Sequence, residues 1–200
     1  RDLFGDYLLN VLGQRSVDVD AVIRSPKHAT STSTVIMLDP RNQVVFHHLG
    51  STACADLDAI PSDQLAGSDA LLISGYPLMT QLRGGEFAAA LALVRAGGGI
   101  TALDVGPAIG KPVTLSEITP LLPDVDYLIA NTHELDVLTG VEDWLNATQQ
   151  VMAAGARRIV VKQGHEGVTA FTPGDQVHVD AFSIAANISV GAGDSFNAGL

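Results

Sequence analysis

Tyr127-Leu128-Ile129-Ala130-Asn131-Thr132-His133-Glu134-Leu135-Asp136-Val137-Leu138-Thr139-Gly140 changes character halfway along, and that change decides the fold. The first four residues form a continuous apolar run, which reads as a short strand buried on both faces. Asn131 ends it. Thr132 to Leu138 reads as a helix, with Gly140 just past its end, where helices commonly stop. Glu134 lies in the first turn of that helix, where the dipole favours an acid whatever else the residue does.

The same unit recurs on either side. Upstream, Leu71-Leu72-Ile73 is a short buried strand, and Glu86 to Ala96 is a helix with Phe87, Leu91 and Val94 on one face. Gly97-Gly98-Gly99 closes that helix, and Ile100-Thr101-Ala102-Leu103 is a strand ending at Asp104. Downstream, a helix spans about Asp143 to Ala154, and Ile159-Val160-Val161 is a strand ending at Lys162-Gln163-Gly164. Strands alternating with helices imply a parallel sheet covered on both faces. Ligands of such sheets bind beyond the carboxyl ends of the strands. Asp104, Asn131, Lys162 and Gly164 all fall there, within an α/β core expected over about 69–200.

The first third follows another grammar. Leu8, Leu9, Val11 and Leu12, after Asp6 and before Gly13, predict a helix. A Ser/Thr-rich stretch follows, then Val35-Ile36-Met37-Leu38, the turn Asp39-Pro40-Arg41-Asn42, and Val44-Val45-Phe46. Two β-prone runs around a Pro/Asn turn predict a hairpin over about 30–48, set apart as a small flap or lid.

Composition bounds the function. The chain has 200 residues, is 46% hydrophobic and 16% charged, and carries a net charge of −11. That length builds one domain with a real core. The negative charge argues against sequence-independent binding to nucleic acid or to anionic membranes. No apolar run reaches membrane-spanning length and no signal peptide is recognisable, so a soluble, cytoplasmic protein is expected. The single cysteine, Cys54, excludes an internal disulfide and is expected to be buried or half-buried. Arg1 is an unnatural start and Leu200 falls inside a helix, so the chain reads as a segment of a longer protein.

Gly191-Ala192-Gly193-Asp194-Ser195-Phe196-Asn197-Ala198-Gly199-Leu200 reads as a loop turning into a helix. Glycine permits close approach of a ligand, and the first helical amides lack partners inside the helix, so they can hold an anion. Asp194 then puts a carboxylate at the mouth of an anion site. Such an acid repels a phosphate unless it has a task there, and a general base facing a phosphoryl group is one. The plainer account is a first-turn acid behind ordinary glycines.

Commoner motifs fail here. A dinucleotide fingerprint requires glycine where Phe196 stands, and Gly106-Pro107-Ala108-Ile109-Gly110-Lys111 is one residue short of a Walker loop. His133-Glu134 lacks the second histidine of a zinc-protease helix, Val137 standing in its place. Gly193-Asp194-Ser195 resembles a hydrolase nucleophile block without a partner histidine, since His165 and His178 read as surface residues.

Asn131-Thr132-His133-Glu134, Lys162-Gln163-Gly164-His165-Glu166-Gly167 and Gly191-Ala192-Gly193-Asp194-Ser195-Phe196 stand in an order that resembles the ribokinase-like, PfkB-type carbohydrate kinases. Asp2-Leu3-Phe4-Gly5 is similar to the family's Asp-x-x-Gly, and the hairpin matches its β lid. The resemblance implies a three-layer α/β/α sandwich with a mostly parallel central sheet, and transfer of the ATP γ-phosphate to a primary hydroxyl of a sugar. It makes Asp194 the base, with Gly191, Ala192 and Gly193 shaping an anion hole from the amides of Ala192, Gly193 and Asp194. It sets Asn131 and Glu134 at a magnesium–water–phosphate cluster, with Glu134 reaching the Mg2+ through water, and Lys162, Gly164 and Gly167 beside the nucleotide. Lys162 has a second reading, as a cap on the strand end. Self-association through the lid is the common family arrangement.

Departures leave questions open. Ile188-Ser189 stands where Asp-Thr is usual, and Ile188 removes an acid tied to monovalent-cation activation in some members. Ser74-Gly75-Tyr76-Pro77 lacks an acidic sugar contact and weakens ribose as the acceptor. The family's Gly-Gly…Asn substrate motif and adenine loop are expected outside residues 1–200. A nucleoside kinase of the same fold and a non-catalytic sugar- or nucleotide-binding homologue are the alternatives.

Overall fold

Helix α1 (Leu3–Gln14) begins on Asp2, whose carboxylate accepts from the Gly5 amide at 3.0 Å and the Thr30 amide at 2.7 Å. These two amides, Gly5 first, hold the Asp2 carboxyl down to about 2. The helix therefore starts ahead of the apolar pattern that Asp6 introduces. The computed structural model describes residues 2–37, 43–107, 110–184 and 190–200; Leu38, the turn Asp39–Asn42, Ile188 and Ser189 lie outside them.

Strands β1 (Thr32–Met37) and β2 (Gln43–His48) pair antiparallel as a separate two-stranded sheet, with Thr34 opposite Phe46 and Ile36 opposite Val44. A tight turn (Gly50–Cys54) and α2 (Ser62–Ala66) follow. Cys54 departs from its expected burial: it ends that surface turn, exposed, its thiol donating to the Ser51 carbonyl at 3.2 Å.

The remaining elements are β3 (Ala70–Ile73), α3 (Gly85–Ala96), β4 (Ile100–Asp104), α4 (Leu115–Ile118), β5 (Tyr127–Asn131), α5 (Thr132–Thr139), α6 (Trp144–Ala153), β6 (Ile159–Lys162), β7 (Val168–Thr172), β8 (Asp175–Val179) and α7 (Ala192–Gly199). Strands β3 to β8 form one sheet in chain order. The first four run parallel, and β7 and β8 return antiparallel. The sheet is thus mostly parallel, with a hairpin at one edge turning through Thr172-Pro173-Gly174-Asp175.

Successive residues of a strand face opposite sides. Leu103, Leu128, Ala130, Ile159 and Val161 point into a core with Phe87 and Leu91 of α3, Leu135 and Leu138 of α5, and Ala147 and Val151 of α6. Truncating any of these large side chains to alanine should cost about 2–5 kcal/mol. Asp104 and Lys162 alternate with Leu103 and Val161, so they lie on the other face. There the sheet is open toward β3 and β4, with Leu72 and Ile100 exposed. Helix α7 lies on this second face, because its Asn197 amide reaches Asp104.

Among the described residues no helix is long and apolar enough to cross a membrane.

Candidate functional site

Register aligns the ends of the parallel strands. Asp104 follows the residue opposite Leu128, and Asn131 lies opposite Lys162. The chain leaves β5 at Asn131 in an extended conformation and enters α5 at once. Two bonds fix this exit: the Glu134 amide donates to Asn131 Oδ1 at 2.8 Å, and the Asn131 amide donates to Glu134 Oε2 at 2.7 Å. This reciprocal cap satisfies two amides that would otherwise lack partners. Gly140, left-handed at φ 74°, closes the helix as expected.

Glu134 is 7% exposed. Burial pushes its carboxyl above the usual glutamate value; the Asn131 amide and the Lys162 charge pull the other way, and Asp104 adds to the rise. Its Oε2 is committed to the cap, while Oε1 takes no bond from a described residue. Together with Pro77, Val105, Gly106, Val113 and Val137 it lines a narrow crevice at the carboxyl edge.

The walls of that edge are braced by Arg83. Its guanidinium meets Glu117 twice, Nε to Oε1 and Nη2 to Oε2, both at 2.6 Å, and also donates to the carbonyls of Lys111 and Pro112. Tyr76, fully buried, donates to Glu117 at 3.1 Å and accepts from the Gly84 amide. Burial first, then the Glu117 charge, pushes its hydroxyl up to about 12. The loops following β3 and β4 are thereby tied together.

Lys162 points across the second face to Asp104, with Nζ at 3.2 and 3.3 Å from the two carboxylate oxygens. Both side chains are largely buried, 15% and 8% exposed. Asn197 Nδ2 donates to Asp104 Oδ2 at 2.6 Å, and Asn197 Oδ1 is buried without a partner among the described residues. Gly193 passes over the lysine: a Cβ built there would stand 3.7 Å from Nζ.

Gly191 caps α7 in the left-handed region at φ 81°, with no side-chain cap. The first helical bond runs from the Ser195 amide to the Gly191 carbonyl. The amides of Ala192, Gly193 and Asp194 make no bond to a described residue. Asp194 is exposed, and its carboxylate is unpaired among the described residues.

Gly164 and Gly167 bound the turn after β6, closed by the Gln163 amide on the Gly167 carbonyl at 2.8 Å. Their glycines are needed for different reasons. A Cβ on Gly164 would meet nothing within 4 Å, so only its φ of 63° disfavours a side chain. A Cβ on Gly167 would lie 2.1 Å from the Val179 carbonyl oxygen and 2.9 Å from the Ala181 amide nitrogen. Gly167 is required by the chain's own packing against the exit of β8.

Asn131, Glu134, Lys162 and the Gly191–Asp194 turn therefore gather at one sheet edge, with Gly164 on the next turn. The sequence puts both Asp104 and Lys162 at that edge, but not their pairing. Asn197 was not singled out, although it follows Gly193 by four residues and so shares its helical face. No group of three or more His, Cys, Asp or Glu side chains suited to a metal occurs among the described residues. One free glutamate oxygen fits magnesium carried mainly by phosphate and water, which that ion tolerates well. A larger cleft opens at the opposite end of the sheet. Its charges are already engaged, Arg95 with Asp124 and Asp126, Arg158 over the Tyr127 ring.

A parallel sheet with these elements at its carboxyl edge is the ribokinase-like fold. A solved fructokinase from Vibrio cholerae O395, in a form with fructose, ADP and calcium ion bound, superposes with a TM-score of 0.78 at 23% identity, over 100% of this chain and 66% of that one. The chain belongs to the pfkB family of carbohydrate kinases, whose family model matches residues 1–200. It is similar to a fructokinase of Klebsiella pneumoniae, 29% identical over 209 residues. It is also similar to a nucleoside kinase of Methanothermobacter thermautotrophicus, 25% identical over 201 residues. Both alignments cover 100% of this chain, which spans 66% and 61% of those relatives.

Proposed function

We propose that the protein transfers the γ-phosphoryl group of ATP to a primary hydroxyl of a sugar or sugar derivative. One observation supports this reading: the unbonded amides of Ala192, Gly193 and Asp194 and the unpaired Asp194 carboxylate lie at the same sheet edge as the Asn131–Glu134 cap, where Lys162, opposite Asn131 in the register, runs beside Gly193.

Phosphoryl transfer passes through a loose transition state, so the protein mainly positions groups and stabilises charge. Asp194 accepts the proton of the acceptor hydroxyl as the new O–P bond forms and the bond to the departing ADP breaks. Base catalysis of this kind contributes about 10²–10⁴-fold. The three amides face the phosphoryl oxygens, whose charge they are fixed to receive, and such donors are worth about 10²–10³-fold each. Magnesium, when bound with ATP, screens the phosphate charge; Glu134 is the side chain available to orient its water. Gly164 lies on the neighbouring turn, where a nucleotide approaches backbone without meeting a side chain.

The nucleoside kinase among the relatives favours a second acceptor class. The separate β1–β2 hairpin acts as a lid in this reading and carries an apolar face, Ile36, Val44 and Phe46, suited to a second copy. The protein is expected in the cytoplasm, where ATP and sugars meet.

Screening the intact protein for ADP release with sugars and with nucleosides tests the acceptor class. Asp194→Asn should lose turnover by about 10²-fold or more while nucleotide affinity stays within a few-fold. Turnover equal to that of the unaltered protein refutes the assignment.

A further inference from the structure

Lys162 and Asp104 form a buried ion pair that the chemistry above does not use. Taking two charges out of water is costly, and an apolar pair of similar volume often serves stability as well. The presence of such a pair calls for a geometric reason, and α7 supplies it. The helix has one buried residue, Asn197, and its amide is committed to Asp104. That commitment leaves Asn197 Oδ1 without a donor among the described residues, a cost that marks the amide's orientation as fixed by Asp104. One turn earlier, on the same face of the helix, Gly193 lies against Lys162 Nζ. Both ends of the docked face of α7 thus meet one pair of charges, anchored on β4 and β6. Asp194, the next residue, is turned off that face and left open.

We infer that Lys162, held by Asp104, is a positioning residue that fixes the first turn of α7, with Asn197 as the second tether, and is not a nucleotide contact. The inference rests on the reading of Asp194 as the base. A lysine that binds phosphate presents free N–H groups to it. Here two donor directions are taken by Asp104, and the first turn of α7 passes close by, a Cβ on Gly193 standing 3.7 Å from Nζ.

The test uses Lys162→Met, Lys162→Arg, Asn197→Ala and Asp194→Asn in the intact protein. Readouts are kcat, KM for both substrates, and ATP affinity by calorimetry. Lys162→Met and Asn197→Ala should each lower kcat by roughly 10- to 100-fold, the usual effect of misplacing a catalytic group by about 1 Å. ATP affinity should stay within about threefold, and Lys162→Arg should recover much of kcat. Asn197→Ala leaves the ion pair in place, so it answers the question if Lys162→Met does not fold. Loss of ATP affinity in Lys162→Met beside unchanged kcat in Asn197→Ala overturns the inference in favour of a nucleotide contact. Unchanged kcat in both, with Asp194→Asn inactive, overturns this inference alone. An active Asp194→Asn variant overturns the base reading and this one with it.

Discussion

Asn131 and Glu134 bond each other reciprocally, each backbone amide donating to the other's side chain at 2.7 and 2.8 Å. The pair that the family pattern assigns to magnesium and phosphate is thus also what starts α5. Substitution effects at these positions therefore mix folding with chemistry, and the two separate by choice of variant.

Asn131→Ala removes a cap and should destabilise the protein by about 1 kcal/mol. Glu134→Ala should have a similar effect. Glu134→Gln retains the oxygen that the Asn131 amide needs, so thermal unfolding should stay close to that of the unaltered protein or rise. If it melts as early as Glu134→Ala, the carboxylate charge and not the cap holds the turn.

The acid groups respond to pH with opposite signs. Burial raises the Glu134 carboxyl, so its stabilising contribution is complete below the ordinary value of 4.5 and is lost as pH rises through the raised value. Glu134→Gln should therefore melt higher than the unaltered protein at pH 7, with the gap closing toward pH 4.5. Glu117 is lowered, chiefly by its Arg83 hydrogen bonds, so its contribution is present above 4.5 and lost as pH falls through the lowered value. Melting curves between pH 3 and 8 read both trends.

Arg83→Met leaves Glu117 and the Lys111 and Pro112 carbonyls without their donor. Arg83 is 8% exposed and Glu117 22%, so the loss should be roughly 2–3 kcal/mol, below the range for fully buried pairs. Denaturant titration at pH 7 measures it, and a loss under about 0.5 kcal/mol would reduce the pair to a surface contact.

The two glycines of the turn after β6 should rank in a fixed order. Gly164→Ala meets open space and costs only the left-handed penalty of about 1–2 kcal/mol. Gly167→Ala collides with the backbone of 179–181 and should exceed that clearly, to the point of poor folding. Equal melting temperatures for the two variants would remove the packing account of Gly167.

The alternation of apolar strands and amphipathic helices was legible because it is local. The strands ending at Asp104, Asn131 and Lys162 needed only a run of apolar residues and a breaker. The β7–β8 hairpin is hard to read, although Thr172-Pro173-Gly174-Asp175 offers a turn signal, because β8 is exposed throughout and both strands mix polar with apolar residues. Helix α1 begins before its apolar pattern because the local Asp2–Gly5 cap starts it while Leu3 and Phe4 stay exposed, so periodicity does not reveal its first turn. The Asp104–Lys162–Asn197 node was out of reach because 58 and 93 residues separate its members. Spacing along a chain reports local periods; which distant side chains meet depends on strand order and face, which only the assembled sheet supplies.

The exposed apolar face of the β1–β2 hairpin makes a separate prediction. Isolated two-stranded sheets are marginal in water, and Phe46 is 61% exposed. If a second copy covers it, Phe46→Lys should dissociate the intact protein in sedimentation runs at micromolar concentration while the main sheet keeps its melting temperature. A protein that sediments as a monomer before substitution removes the hairpin from any role in assembly.

Strands β3 to β8 sit beside their immediate predecessors, with no strand inserted between earlier ones. Each can add to a finished edge as soon as it is synthesised, so the loops to be closed stay short and no completed pairing has to reopen. A ribosome-bound chain builds these six strands in order of synthesis, so α7 meets a layer whose strands are already paired.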